Sequence, residues 1–110
     1  MYEVIKKLEI SAAHKLNLPY ESPCTNLHGH NWQVTVYLKS ETLNNEGLIM
    51  DFKHIKNKIS KRLDHKIIND EVDFNPTAEN LAKFICDELA PYCYRVEVCE
   101  SENNTAVYYK

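Results

Sequence analysis

The chain has 110 residues, with 13 Lys and Arg against 16 Asp and Glu, giving a formal charge of −3. That balance argues against nucleic acid or an anionic membrane as the main partner, while an anionic small molecule met by local charge stays compatible. Hydrophobic residues at 44% and charged residues at 26% are ordinary for a globular protein, and the length suits one core, so residues 1–110 are expected to form a single domain.

Residues 2–14 read as a strand: Val4, Leu8, Ile10, Ala12 and His14 share one parity, broken only by Lys6. The same stretch mixes Glu3, Lys6, Lys7 and Glu9 with its apolar residues, which is not the pattern of a signal peptide. No apolar run reaches the length of a membrane span. Without a secretory signal, Cys24, Cys86, Cys93 and Cys99, none in a CxxC pair, are read as free thiols of a reducing cytoplasm. The last three fall in helix- or strand-like segments and are expected to pack in the interior.

A turn-rich stretch with Pro19 and Pro23 leads to a second alternating run at 30–39. There Trp32, Val34, Val36 and Leu38 face one side, and Tyr37 is an ambiguous member of the other. After the polar turn Asn44-Asn45-Glu46-Gly47, Asp51 is expected to cap a helix carrying Phe52, Ile55, Ile59 and Leu63 on its buried face. Thr77 is expected to cap a second helix, buried through Ala78, Leu81, Ala82, Ile85 and Leu89 and ended by Pro91. Residues 93–100 and 105–109 read as a final strand pair. The order ββααββ predicts an α+β fold, a four-stranded antiparallel sheet with two helices on one face. Its other face is left to be covered by neighbouring subunits.

His28-Gly29-His30 puts two imidazoles on one side of an extended backbone, on the parity of Trp32. His14 ends the preceding strand on its core parity, so antiparallel pairing would gather all three. Gly29 is expected to allow an unusual backbone angle between them. Three neutral imidazoles without an evident fourth ligand describe an open zinc site. An HxH pair alone carries little, and His14 strengthens it. His54 falls on the polar side of the first helix. Leu63-Asp64-His65 reads either as a surface pair or as a histidine oriented for acid–base work.

Several motifs together resemble the family of 6-pyruvoyl- and 6-carboxytetrahydropterin synthases. They are Ser11-Ala12-Ala13-His14, Cys24 through His28-Gly29-His30-Asn31, Gly47 through Asp51-Phe52, Leu63-Asp64-His65, Pro76-Thr77-Ala78-Glu79-Asn80, and Glu100. They span nearly the whole chain in the family's order. The resemblance implies the tunnelling fold (T-fold), a homohexamer built as a dimer of trimers, and zinc on His14, His28 and His30. It further implies Cys24 as catalytic thiol with Asp64 and His65 as acid–base partners, Glu100 as anchor of the pterin ring, and Thr77 and Glu79 in a segment lining the pocket. The three residues between Cys24 and His28 are similar to the bacterial 6-carboxy enzymes. The implied substrate is then 7,8-dihydroneopterin triphosphate, with 6-carboxytetrahydropterin, acetaldehyde and triphosphate as products, and queuosine synthesis as the setting. Lys15, Lys53, Arg62 and Lys66 are the cations nearest these motifs. Elimination to the 6-pyruvoyl product is the nearest rival. A non-catalytic zinc module closed by Cys24 is the rival from another class.

Overall fold

The computed structural model describes all residues 1–110. Strand β1, Tyr2–His14, and strand β2, His28–Ser40, form an unbroken antiparallel ladder from the pair Tyr2 and Ser40 to the pair His14 and His28. A short 3-10 turn at Pro23–Thr25 interrupts the connection between them. Helix α1, Phe52–Leu63, is followed by the two-residue strand β3, Lys66–Ile67, and then by helix α2, Ala78–Glu88. Strands β4, Cys93–Ser101, and β5, Asn104–Tyr109, close the chain.

The sheet order is β3-β1-β2-β4-β5. It therefore has five strands where four were expected, because Lys66 and Ile67 pair in parallel with Ala12 and Ala13. Two residues are too few to show a period. The other four strands are antiparallel in the expected arrangement.

Alternation on the strands supplies the buried layer. Leu8, Ile10 and Ala12 of β1, Trp32, Val34, Val36 and Leu38 of β2, and Val96 and Val98 of β4 all face the helices. Helix α1 meets them with Ile55, Ile59 and Leu63, and α2 with Leu81, Ala82, Ile85 and Cys86. Each Val, Leu or Ile among them contributes about 1.5–3 kcal/mol when fully buried. Both expected caps form: Asp51 Oδ1 accepts from the Lys53 N–H at 2.8 Å, and Thr77 Oγ1 from the Asn80 N–H at 3.0 Å.

Four expectations change, the first being Ala78, which at the first position of α2 is only partly buried. Phe52 is half exposed, since the first residue of α1 has no preceding turn to hold it against the sheet. Cys99 is only partly buried, because it lies on the parity opposite to Val96 and Val98, whereas Cys86 and Cys93 are in the core. Gly29 has an ordinary extended backbone, and a Cβ there would meet Ala12 O at 3.9 Å, so no special angle is required. Gly47, at φ 83°, does occupy the left-handed region.

The sheet face away from the helices is open, leaving Ile5, Val107 and Tyr109 exposed. On it the Arg95 guanidinium lies between the rings of Tyr37 and Tyr109, 4.6 and 5.4 Å from their centroids. Glu97 Oε2 accepts from Tyr37 Oη at 2.6 Å and forms an ion pair with Arg95 Nη2 at 2.9 Å. The Glu97 carboxylate holds the Tyr37 phenol above its ordinary pKa.

Candidate metal centre and its surroundings

The β1–β2 register gathers the histidines. His14 is paired with His28, and His30 with Ala12, so all three imidazoles stand at one end of the ladder on its covered face. Ring centroids are 4.6 Å apart for His14 and His28, 4.8 Å for His28 and His30, and 5.3 Å for His14 and His30. Trp32 backs the cluster edge-on, 4.8 Å from His14 and 5.1 Å from His30. Its indole N–H is fixed on Ala12 O at 3.2 Å.

Two carbonyls set the tautomers. His14 Nδ1 lies 2.8 Å from Pro76 O, and His28 Nδ1 lies 2.7 Å from Asn26 O. A carbonyl only accepts, so each Nδ1 carries the proton and each Nε2 presents a lone pair. Burial holds His14 below the ordinary imidazole pKa, with the neighbouring His28 and His30 acting in the same direction; the Pro76 carbonyl and Glu100 oppose. His14 is therefore held neutral, as a ligand must be. Its Nε2 is buried without a hydrogen-bond partner. An orphaned lone pair of this kind, oriented by a carbonyl on the opposite nitrogen, fits a metal ion.

Glu100 joins the group. The candidate ligating atoms of His14, His28, His30 and Glu100 all lie within 4.8 Å of one another. Glu100 Oε1 is 3.0 Å from His30 Nε2, yet the two are not aligned for a hydrogen bond, and Nε2 is likewise left without a partner. Glu100 shares the covered-face parity of Val96 and Val98, but the β2–β4 pairing that brings it beside His30, seventy residues away, is not readable from the sequence. The Pro76 and Asn26 carbonyls were equally hidden, because backbone oxygens carry no residue signature.

Cys24 lies in the 3-10 turn, its N–H on Ser22 Oγ at 3.2 Å and its carbonyl on the Leu16 N–H at 2.8 Å. It is not one of the four converging residues. Asp64 and His65 are held elsewhere. Asp64 Oδ1 accepts from the Ser11 N–H at 2.9 Å, the His65 N–H donates to Ser11 O at 2.7 Å, and His65 Nε2 lies 3.6 Å from Asp64 Oδ2. His65 has φ 58° and an exposed ring, at a helix end where glycine is the usual occupant. With Lys66 it lines a cleft of about 420 Å³ alongside Ser11, Ala13, Gly29 and Asn31. Ala12 and His30 line it as well, so this cleft adjoins the histidine group at the edge of β1. No hydrogen bond joins Cys24 to Asp64 or His65 within the chain.

A second cleft, of about 460 Å³, is lined by Ala78, Glu79, Glu100, Asn104 and Val107 among others. Glu79 and Glu100 thus share it. Thr77 does not line it, and its hydroxyl is engaged in capping α2. Among the expected cations, Arg62 is tied to Glu88 Oε1 and Glu71 O, both at 3.2 Å, and stacks over Phe84. Lys66 is the one that lines a cleft with His65.

The two-layer α+β fold thus carries three histidines and a glutamate that could hold a metal ion, beside a cleft lined by Glu79 and Glu100. A profile of the 6-pyruvoyl tetrahydropterin synthase family matches residues 3–110, and the chain belongs to that family. It is similar to 6-carboxy-5,6,7,8-tetrahydropterin synthase of Bacillus subtilis, at 29% identity over 97% of this chain and 84% of the relative. It is also similar to human 6-pyruvoyl tetrahydrobiopterin synthase, at 32% identity over 96% and 90%. The structure of Caenorhabditis elegans 6-pyruvoyl tetrahydropterin synthase superposes with a TM-score of 0.77 at 25% identity, covering 99% of this chain and 95% of that one. The fold is the tunnelling fold of these pterin synthases.

Proposed function

We propose that the chain is a zinc-dependent 6-carboxy-5,6,7,8-tetrahydropterin synthase, converting 7,8-dihydroneopterin triphosphate to 6-carboxytetrahydropterin, acetaldehyde and triphosphate on the way to queuosine. The observation that carries the reading is the pair of buried, partnerless Nε2 atoms of His14 and His30 beside the oriented His28. His14, His28 and His30 would hold the metal. Zinc bound there supplies a Lewis acid for neighbouring hydroxyls of the substrate side chain.

The remaining work falls to side chains. Cys24 serves as the base that removes a side-chain proton, and His65, oriented by Asp64, moves protons to and from oxygen. Glu100 and Glu79 line one cleft, and a carboxylate there accepts the two adjacent donors of an amino-pyrimidinone edge. Thr77 holds the start of α2, and with it the Pro76 carbonyl that orients His14. Cys24, Asp64 and His65 are not among the residues that converge with the imidazoles, which supports a site completed by a second copy. A cytoplasmic homohexamer of single-domain chains, residues 1–110, is the corresponding assembly.

The human and nematode relatives bear the 6-pyruvoyl name, which favours elimination as the second reading. Incubating the zinc-loaded protein with 7,8-dihydroneopterin triphosphate and identifying the products decides between them. Acetaldehyde with 6-carboxytetrahydropterin is expected; a 6-pyruvoyl product without acetaldehyde selects the rival, and no turnover refutes both.

A further inference from the structure

We propose that Glu100 is itself a metal ligand in the ligand-free protein, completing a site of three imidazoles and one carboxylate. The proposal rests on the metal-binding reading above and concerns the fourth position alone. The ligating atoms of the four residues fall within 4.8 Å of one another. Atoms held at about 2.0–2.2 Å around a four-coordinate zinc fit inside that span. Cys24, the other side chain offered for this position, is outside the group.

The contact between Glu100 and His30 makes the case sharper. The oxygen and the ring nitrogen lie 3.0 Å apart without hydrogen-bond alignment, so the Glu100 carboxylate does not satisfy the buried His30 Nε2. His14 Nε2 is left open in the same small volume. One cation satisfies all of these atoms at once.

Backbone geometry explains how a β4 residue reaches there. In the β4–β5 ladder Cys99 pairs with Thr105 and Ser101 with Asn104, so Glu100 is the unpaired extra residue of a bulge. Its parity matches that of Val96 and Val98, so the side chain falls on the covered face with the imidazoles. The Glu100 side chain also keeps a quarter of its surface exposed and lines the cleft shared with Glu79. It therefore stands between the metal and the cleft. A ring offering paired N–H donors would compete with the metal for the same carboxylate.

Zinc affinity by chelator competition tests this on the full chain and on Glu100→Gln, Glu100→His and Glu79→Gln. Loss of an outer-shell partner costs about 10–100-fold in metal affinity, so Glu100→Gln is expected to lose at least about tenfold. Glu100→His, which offers a nitrogen instead, recovers the loss. Glu79→Gln removes the same charge from the same cleft and is expected to stay within about twofold of the parent. Equal affinity in Glu100→Gln and the parent overturns the proposal, as does an equal loss in both Gln variants, which means long-range charge alone. A parent chain that binds no zinc refutes the metal-binding reading instead. Cobalt-loaded parent protein gives a readout independent of variant folding. Its visible bands are expected to shift when a pterin lacking side-chain hydroxyls fills the cleft; bands unmoved at saturation overturn the proposal.

Discussion

His14 and His28 are the last residue pair of the β1–β2 ladder, with ring centroids 4.6 Å apart and opposite carbonyls, Pro76 and Asn26, fixing their tautomers. Strand register thus brings two imidazoles together, and His30 follows on the same face. We expect one zinc per chain by elemental analysis, and a strong loss of occupancy in His28→Ala. Zinc should also raise the melting temperature of the parent, because a metal that binds only the native state stabilises it. Full occupancy in His28→Ala would remove His28 from the ligand set.

The depressed pKa of His14 fixes a direction with pH. The unfolded imidazole titrates near 6.5, and burial places the folded value lower. Between the two values the unfolded chain binds a proton that the native chain does not, so native stability rises with pH there. The His14 contribution is fully present above about pH 6.5 and is lost as pH falls towards the folded value. Urea midpoints of the metal-free chain are expected to fall on acidification through this range, and to fall less in His14→Gln. A midpoint as pH-sensitive in the variant as in the parent would assign the effect to other groups.

Cys24 separates a catalytic from a closed metal site. Cys24→Ala is expected to keep its zinc and lose about 10²–10⁴ in turnover, the usual cost of removing a general base. Zinc loss in this variant would make Cys24 a ligand.

Thiol labelling checks the core assignment. Burial raises the Cys86 thiol and pushes Cys93 up to about 12, so both are buried and protonated near neutrality. Alkylation of the folded chain should modify Cys24 and Cys99 and spare the other two until denaturant is added. Early labelling of Cys93 would mean that the β4 end of the core opens readily.

Thr77→Ala is expected to cost about 1 kcal/mol of stability through loss of the Asn80 cap, with Thr77→Ser close to the parent. Denaturation midpoints report it, and an unchanged midpoint in Thr77→Ala would leave the cap without energetic weight.

Local patterns were legible before the structure. Parity placed Ile10, Val34 and Val36 inside, helical spacing placed Ile55, Ile59 and Ile85, and the caps at Asp51 and Thr77 followed from residue type. The three histidines could be grouped because they belong to two consecutive strands whose parity puts them on one face. Relationships that depend on chain position in space were not legible. Strand β3 exists because the end of α1 returns to the edge of β1, and Glu100 meets His30 across strands remote in sequence. Gly29 misled because a scarce glycine suggests a backbone need, and here its neighbours leave ordinary room for a side chain.

His65 occupies a backbone conformation that costs an L-residue roughly 1–2 kcal/mol and that glycine adopts freely. A gain in thermal tolerance is therefore available at this position by one substitution, and it removes an imidazole at the same stroke. Selection for heat resistance alone would favour glycine there; only selection that also scores the chemistry would keep the ring.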